Sequence, residues 1–68
     1  MVLATQVRLA NDIAAQFGHL PREQAVAGIA NHVRMFWDPR MRAQLLAAVD
    51  AGDTELDPLV VEAAARLR

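Results

Sequence analysis

The chain has no cysteine, lysine, serine or tyrosine, and Thr5 and Thr54 are its only hydroxyl side chains. Without cysteine there is no disulfide, no thiolate zinc site and no cysteine nucleophile. The two imidazoles, His19 and His32, lie thirteen residues apart and fit no common metal-ligand spacing. Glycine occurs only at the isolated positions 18, 28 and 52, so there is no glycine-rich loop to cradle a phosphate. No apolar run approaches the ~20 residues that cross a bilayer. Thr5, Gln6, Arg8, Asn11 and Asp12 interrupt the first apolar stretch, where a signal peptide needs continuity. A cytoplasmic protein is therefore expected. Eight carboxylates remain, but half of them stand at helix starts or in one acidic loop. A catalytic carboxylate pair needs an enclosing pocket, which 68 residues hardly form alone. Independent catalysis is not expected.

What is present is apolar and helix-forming. Apolar residues make up 54% of the chain, above the roughly 45–50% of ordinary domains, and much of the excess is alanine. The net charge is −1 and every basic residue is arginine, which gives no electrostatic case for nucleic acid or an anionic membrane. Residues 1–68 make a single domain. A domain this small buries only about 60% of the surface of its unfolded chain. With disulfides and metals set aside, helix packing and a partner remain to stabilise it.

Helix breakers fall at intervals, and the segments between them have helical period. The spacing predicts an all-α fold, a compact array of about four short helices joined by tight turns. The first helix covers roughly Val2 to Phe17, with Leu3, Val7, Leu9, Ala10, Ile13, Ala14 and Phe17 on one half. Gly18 follows where a left-handed residue would close it. The second helix covers roughly Pro21 to Trp37. Val26, Ile29, Val33 and Phe36 form its stripe, flanked by Ala30 and Trp37. Gly28 lies on the opposite side, and its cost of about 0.5–1 kcal/mol relative to alanine implies that something packs close there. Asp38-Pro39 caps the third helix, Pro39 to Ala51, which is expected to bury Met41, Leu45, Leu46, Ala48 and Val49 before Gly52. After the acidic loop Asp53-Thr54-Glu55, Asp57-Pro58 repeats the cap, and a fourth helix runs to the C-terminus. Its apolar residues cover more than half its circumference. That calls for two apolar neighbours, one of them open to lie outside the chain.

His32 borders the stripe of the second helix, where a partly buried, hydrogen-bonded histidine is expected ahead of a ligand. His19 falls in a turn and is expected in solvent. The segment from Met35 to Arg42 gathers two aromatics, a helix break and two arginines. Phe36 completes a core stripe and Asp38-Pro39 builds a helix start, so folding explains those three. Arg40 opposes the dipole of a helix first turn. Arg42 falls within an apolar face, from which it reaches water by its stem or pairs with a carboxylate. Trp and Arg are the types enriched in interface hot spots. Docking and plain structure stand level on these grounds, and Met35, Trp37, Arg40 and Arg42 are the candidate partner-binding residues.

The run Ala25-Val26-Ala27-Gly28-Ile29-Ala30-Asn31-His32-Val33-Arg34-Met35-Phe36-Trp37-Asp38-Pro39-Arg40-Met41-Arg42 resembles the signature of the delta subunit of NAD-dependent formate dehydrogenase. Val7-Arg8-Leu9-Ala10-Asn11-Asp12-Ile13-Ala14 resembles that family's first helix, and Leu56-Asp57-Pro58-Leu59-Val60 its closing segment. Met35 departs from the family pattern, where a polar or basic residue is usual. The resemblance implies a small, cofactor-free accessory subunit of a soluble cytoplasmic complex that oxidises formate to carbon dioxide with NAD. It implies an alpha-subunit partner carrying a molybdenum (or tungsten) bis-guanine-dinucleotide centre and iron–sulfur clusters. The beta and gamma subunits of such a complex carry FMN and further clusters. Supporting assembly or stability of the holoenzyme is the implied role. A transient chaperone for the molybdenum cofactor or the apo-alpha subunit is the alternative, and the pyrophosphates of that cofactor are a conceivable target for Arg34, Arg40 and Arg42. A small helical regulatory or DNA-binding protein is a second alternative, opposed by the near-neutral charge. No nucleic acid and no membrane is expected as a partner, and a homodimer of the isolated chain is left open.

Overall fold

A computed structural model describes residues 5–68, and they form four α-helices: α1 Thr5–Phe17, α2 Arg22–Phe36, α3 Pro39–Asp50 and α4 Pro58–Ala65. The expected all-α array of short helices is what the chain adopts, with no strand among the described residues. The early positions of the first predicted helix, Val2 and Leu3, lie outside the described residues.

The helix boundaries follow the sequence punctuation closely at the two Asp-Pro sites. Asp38 has extended backbone and its Oδ1 accepts from the Met41 N–H at 2.8 Å, with Pro39 presetting the first turn of α3. Asp57 does the same for α4, accepting from the Leu59 N–H at 2.8 Å ahead of Pro58. Pro21 stands one residue before α2, not within its first turn. The end of α3 is a Schellman motif: the Gly52 N–H donates to Val49 O at 3.1 Å and the Asp53 N–H to Ala48 O at 3.1 Å. Gly52 has φ +73°, the left-handed conformation that this closure requires.

Gly18 departs from its expected role. It does not take a positive φ. The α1–α2 link is instead a tight turn in which the Leu20 N–H donates to Phe17 O at 3.0 Å. The last helix is also shorter than expected. It stops at Ala65, and the Arg66 and Leu67 N–H groups bond back to Ala63 O and Ala64 O in a tightened final turn.

Packing places α4 chiefly against α2, with α1 and α3 also touching it, while α1 bridges α2 and α3. The second apolar neighbour expected for α4 is therefore inside the chain. Val7, Ala10, Ile13 and Ala14 of α1 meet Val26, Ile29, Ala30 and Val33 of α2 and Val60 and Ala63 of α4 in one core. Of the expected α3 residues only Leu45 is fully enclosed; Met41, Ala48 and Val49 pack against the core half-buried, and Leu46 is half-buried too. Alanines at these contacts let short helices approach closely. The Cα radius of gyration of 10.8 Å equals the value of about 11 Å for a compact domain of this length.

Gly28 has the close neighbour its position implied. The Phe17 ring lies over it, so close that an added Cβ would stand 2.6 Å from the ring. A smaller residue than alanine is what allows α1 and α2 to meet there.

Candidate functional site

The corner between α2 and α3 holds all the candidate partner-binding residues, and the backbone decides how each is presented. Phe36 is the last residue of α2, and Trp37 leaves the helix in extended backbone, φ −95° and ψ 138°, ahead of Asp38-Pro39. That departure swings the indole off the helical wheel and into the core, where Trp37 is only 7% exposed. Phe36, assigned to the core by its place on the wheel, is 70% exposed. The two residues thus exchange the roles expected of them. A wheel gives azimuth but not depth, and at the end of α2 it is Trp37 that fills the core. Folding explains Trp37, which removes its side chain from the accessible face of the corner.

Met35 lies away from the core at 75% exposure, as its place on the wheel implied. Arg40 is exposed in the first turn of α3, and Arg42 is half-buried. Neither guanidinium makes a hydrogen bond or ion pair with any described residue. For Arg42 this leaves the stem-and-water arrangement and not a carboxylate of its own chain.

His32 is half-buried, but aromatic contact and not a hydrogen bond is what the structure gives it. Its ring stands 4.9 Å from that of Phe36, one helical turn on, with the planes tilted by 39°. His19 is exposed in the α1–α2 turn, as expected.

Asn11, which the sequence gives no role, and Arg34, a conceivable cofactor contact there, carry long-range structural work instead. Asn11 of α1 donates from Nδ2 to Glu55 O at 2.7 Å and accepts at Oδ1 from the Asp57 N–H at 2.9 Å, which buckles the α3–α4 loop to α1. Arg34 donates to Asn31 Oδ1 at 3.1 Å and to Arg66 O at 3.0 Å, closing the carboxyl end of α4. Arg34 is thereby occupied and does not join Arg40 and Arg42 as a free cation. The partners of Asn11 lie 44 and 46 residues away and the Arg66 carbonyl lies 32 residues from Arg34, so no local pattern announces these ties.

An open groove between α2 and α4 is lined by Arg22, Glu23, Val26, Glu62, Ala65 and Arg66. Its charges neutralise one another in pairs, Arg22 Nε with Glu62 at 2.9 Å and Arg66 with Glu23. Hydrogen bonding to Glu62, together with its charge, raises the pKa of Arg22 above its ordinary value. The groove presents no unpaired carboxylate to act as a base. Among the described residues no helix is long and apolar enough to cross a membrane.

Residues 6–64 match the family of NADH-dependent formate dehydrogenase delta subunits, FdsD. The chain belongs to that family. The match spans all four helices, including the α2–α3 corner and the Asp57-Pro58 start of α4. Membership makes the chain a subunit of a formate dehydrogenase complex, as the resemblance of its central segment and both flanking segments implied. No curated protein and no solved structure gives a significant match to it.

Proposed function

We propose that this chain is a cofactor-free, non-catalytic subunit that binds the catalytic alpha subunit of a cytoplasmic NAD-dependent formate dehydrogenase and supports assembly and stability of the complex. The observation that carries the reading is the family match over residues 6–64. Two features of the chain agree with it. The ionisable groups of the α2–α4 groove are mutually paired, and the two most exposed large apolar side chains among the described residues, Met35 and Phe36, are adjacent at the α2–α3 corner. The molybdenum or tungsten centre, the iron–sulfur clusters and FMN belong on other subunits in this reading.

The test is expression of the other dehydrogenase subunits with and without this chain. With it, the chain co-purifies one-to-one with the alpha subunit and the yield of assembled complex rises. Equal yield of assembled, active complex in its absence sinks the assembly role. A substoichiometric amount in the active complex replaces the permanent subunit with a transient chaperone.

A further inference from the structure

We infer that the α2–α3 corner is the docking face, and that it fits an apolar hollow flanked by carboxylates on another subunit of the dehydrogenase. The inference takes the partner's identity from the proposed accessory-subunit reading and adds the surface and its chemistry.

Exposed large apolar side chains among the described residues are Leu9, Met35, Phe36 and Val61. Leu9 and Val61 are single and only about two-fifths exposed (39% and 41%), which is ordinary for a soluble surface. Met35 and Phe36 are consecutive and mostly uncovered. The Phe36 ring rests on His32, so it is partly held before any partner arrives and loses less side-chain freedom on docking. The Met35 thioether is unbranched and adapts to an irregular hollow.

Of the seven arginines, three bond to no described residue: Arg8, exposed on α1, and the two at this corner. Arg22, Arg34, Arg66 and Arg68 each bond within the chain, to Glu62, to Asn31 and the Arg66 carbonyl, to Glu23 and to Asp50. Arg40 and Arg42, four and six residues beyond Phe36, bond to no described residue. Asp38, the carboxylate between them and Phe36, is engaged by the Met41 N–H. Arg40 also stands at the positive end of the α3 dipole, where its charge is locally unfavourable. The corner therefore carries a positive excess on a chain whose net charge is −1. An apolar centre beside arginine is the composition of an interface hot spot, and uncompensated guanidinium calls for carboxylate.

The same charges argue against a second copy. A two-fold contact through this corner brings a patch against itself and sets Arg40 and Arg42 near their own counterparts. Nucleic acid is disfavoured as well, because two cations on a net-negative chain give little counterion release.

The experiment measures binding of the full chain to dehydrogenase purified without it. The variants are Phe36→Ala, Met35→Ala and the pair Arg40→Glu with Arg42→Glu, each checked for helicity by circular dichroism. Phe36→Ala is expected to bind at least about tenfold more weakly. Wild-type affinity falls as NaCl rises from about 0.05 M to about 0.5 M, and the charge-reversed pair loses or inverts that slope. If the wild type binds and all variants bind equally well, the docking face lies elsewhere and this inference is overturned while the accessory-subunit reading stands. If the wild type itself does not bind, that reading falls and the inference with it. If sedimentation shows a wild-type dimer that Phe36→Ala dissolves, a second copy occupies the corner and the inference is likewise overturned.

Discussion

Between Phe36 and Trp37 the backbone leaves the helix, and one peptide unit separates a ring in solvent from a ring in the core. The consequence is measurable by urea unfolding. Truncating a buried aromatic costs about 3–5 kcal/mol. At about 0.05–0.15 kcal/mol per residue, a 68-residue chain has only about 3–10 kcal/mol in total. Trp37→Ala is therefore expected to remove a large share of that stability, about 3–5 kcal/mol, whereas Phe36→Ala shifts stability by no more than about 0.5 kcal/mol. Similar losses from the two variants would contradict the exchanged roles. Gly28 makes a second case in which one residue decides. Alanine there gains about 0.5–1 kcal/mol of helix propensity, but its Cβ would meet the Phe17 ring at 2.6 Å, and overpacking of that kind costs about 1–3 kcal/mol. Gly28→Ala is expected to destabilise by about 1 kcal/mol and, in a Phe17→Ala background, to stabilise by up to about 1 kcal/mol. That reversal of sign is a double-mutant coupling that a ring free to swing aside would not show.

At the scale of elements, the helices themselves were legible because their signals are local. Asp38-Pro39 and Asp57-Pro58 combine an acceptor for the first-turn N–H groups with a preset φ, and both caps formed where the pairs stand. Gly28 was legible for a related reason: a glycine inside a helix has a cost that only close packing offsets. The errors are of another kind. Gly18 and Gly52 both follow a helix, yet only Gly52 takes the left-handed conformation. A turn closed between Phe17 and Leu20 serves the α1–α2 link without it. The α3 stripe was right in direction, but how deeply it is covered depends on neighbours that a wheel does not contain. The Asn11 buckle was invisible because asparagine on a polar helix face reads as solvated, and its partners are more than forty residues on. Removing it tests how the α3–α4 connection is held. Asn11→Ala frees the Glu55 carbonyl and the half-buried Asp57 N–H together, for a loss of about 1–3 kcal/mol. In hydrogen exchange the Asp57 amide is expected to lose protection while amides in the middle of α2 are slowed or hastened only with global stability. Unchanged exchange at Asp57 would show that Asp57-Pro58 holds the loop unaided.

For the whole molecule, the ties between helices are mostly exposed. The Arg22–Glu62, Arg66–Glu23 and Arg68–Asp50 pairs all have both side chains well in water, where a pair contributes about 0–1 kcal/mol and salt screens it. The core is built largely from alanine and valine, and large enclosed side chains are few. Such a chain gains more from a partner than from its own surface. A ligand that binds only the folded state adds RT ln(1 + [L]/Kd), about 2.7 kcal/mol at a free concentration of 100 Kd. Amides that exchange only through global unfolding, for which Ile29 and Val33 in the middle of α2 are the natural reporters, are then expected to slow by about a hundredfold when dehydrogenase lacking this chain is added at that excess. The slowing should grow in proportion to partner concentration above Kd and vanish with the charge-reversed Arg40 and Arg42 pair. Protection that rises only at Met35, Phe36 and their neighbours, with the core unchanged, would show instead that the core amides exchange through local openings that docking does not suppress.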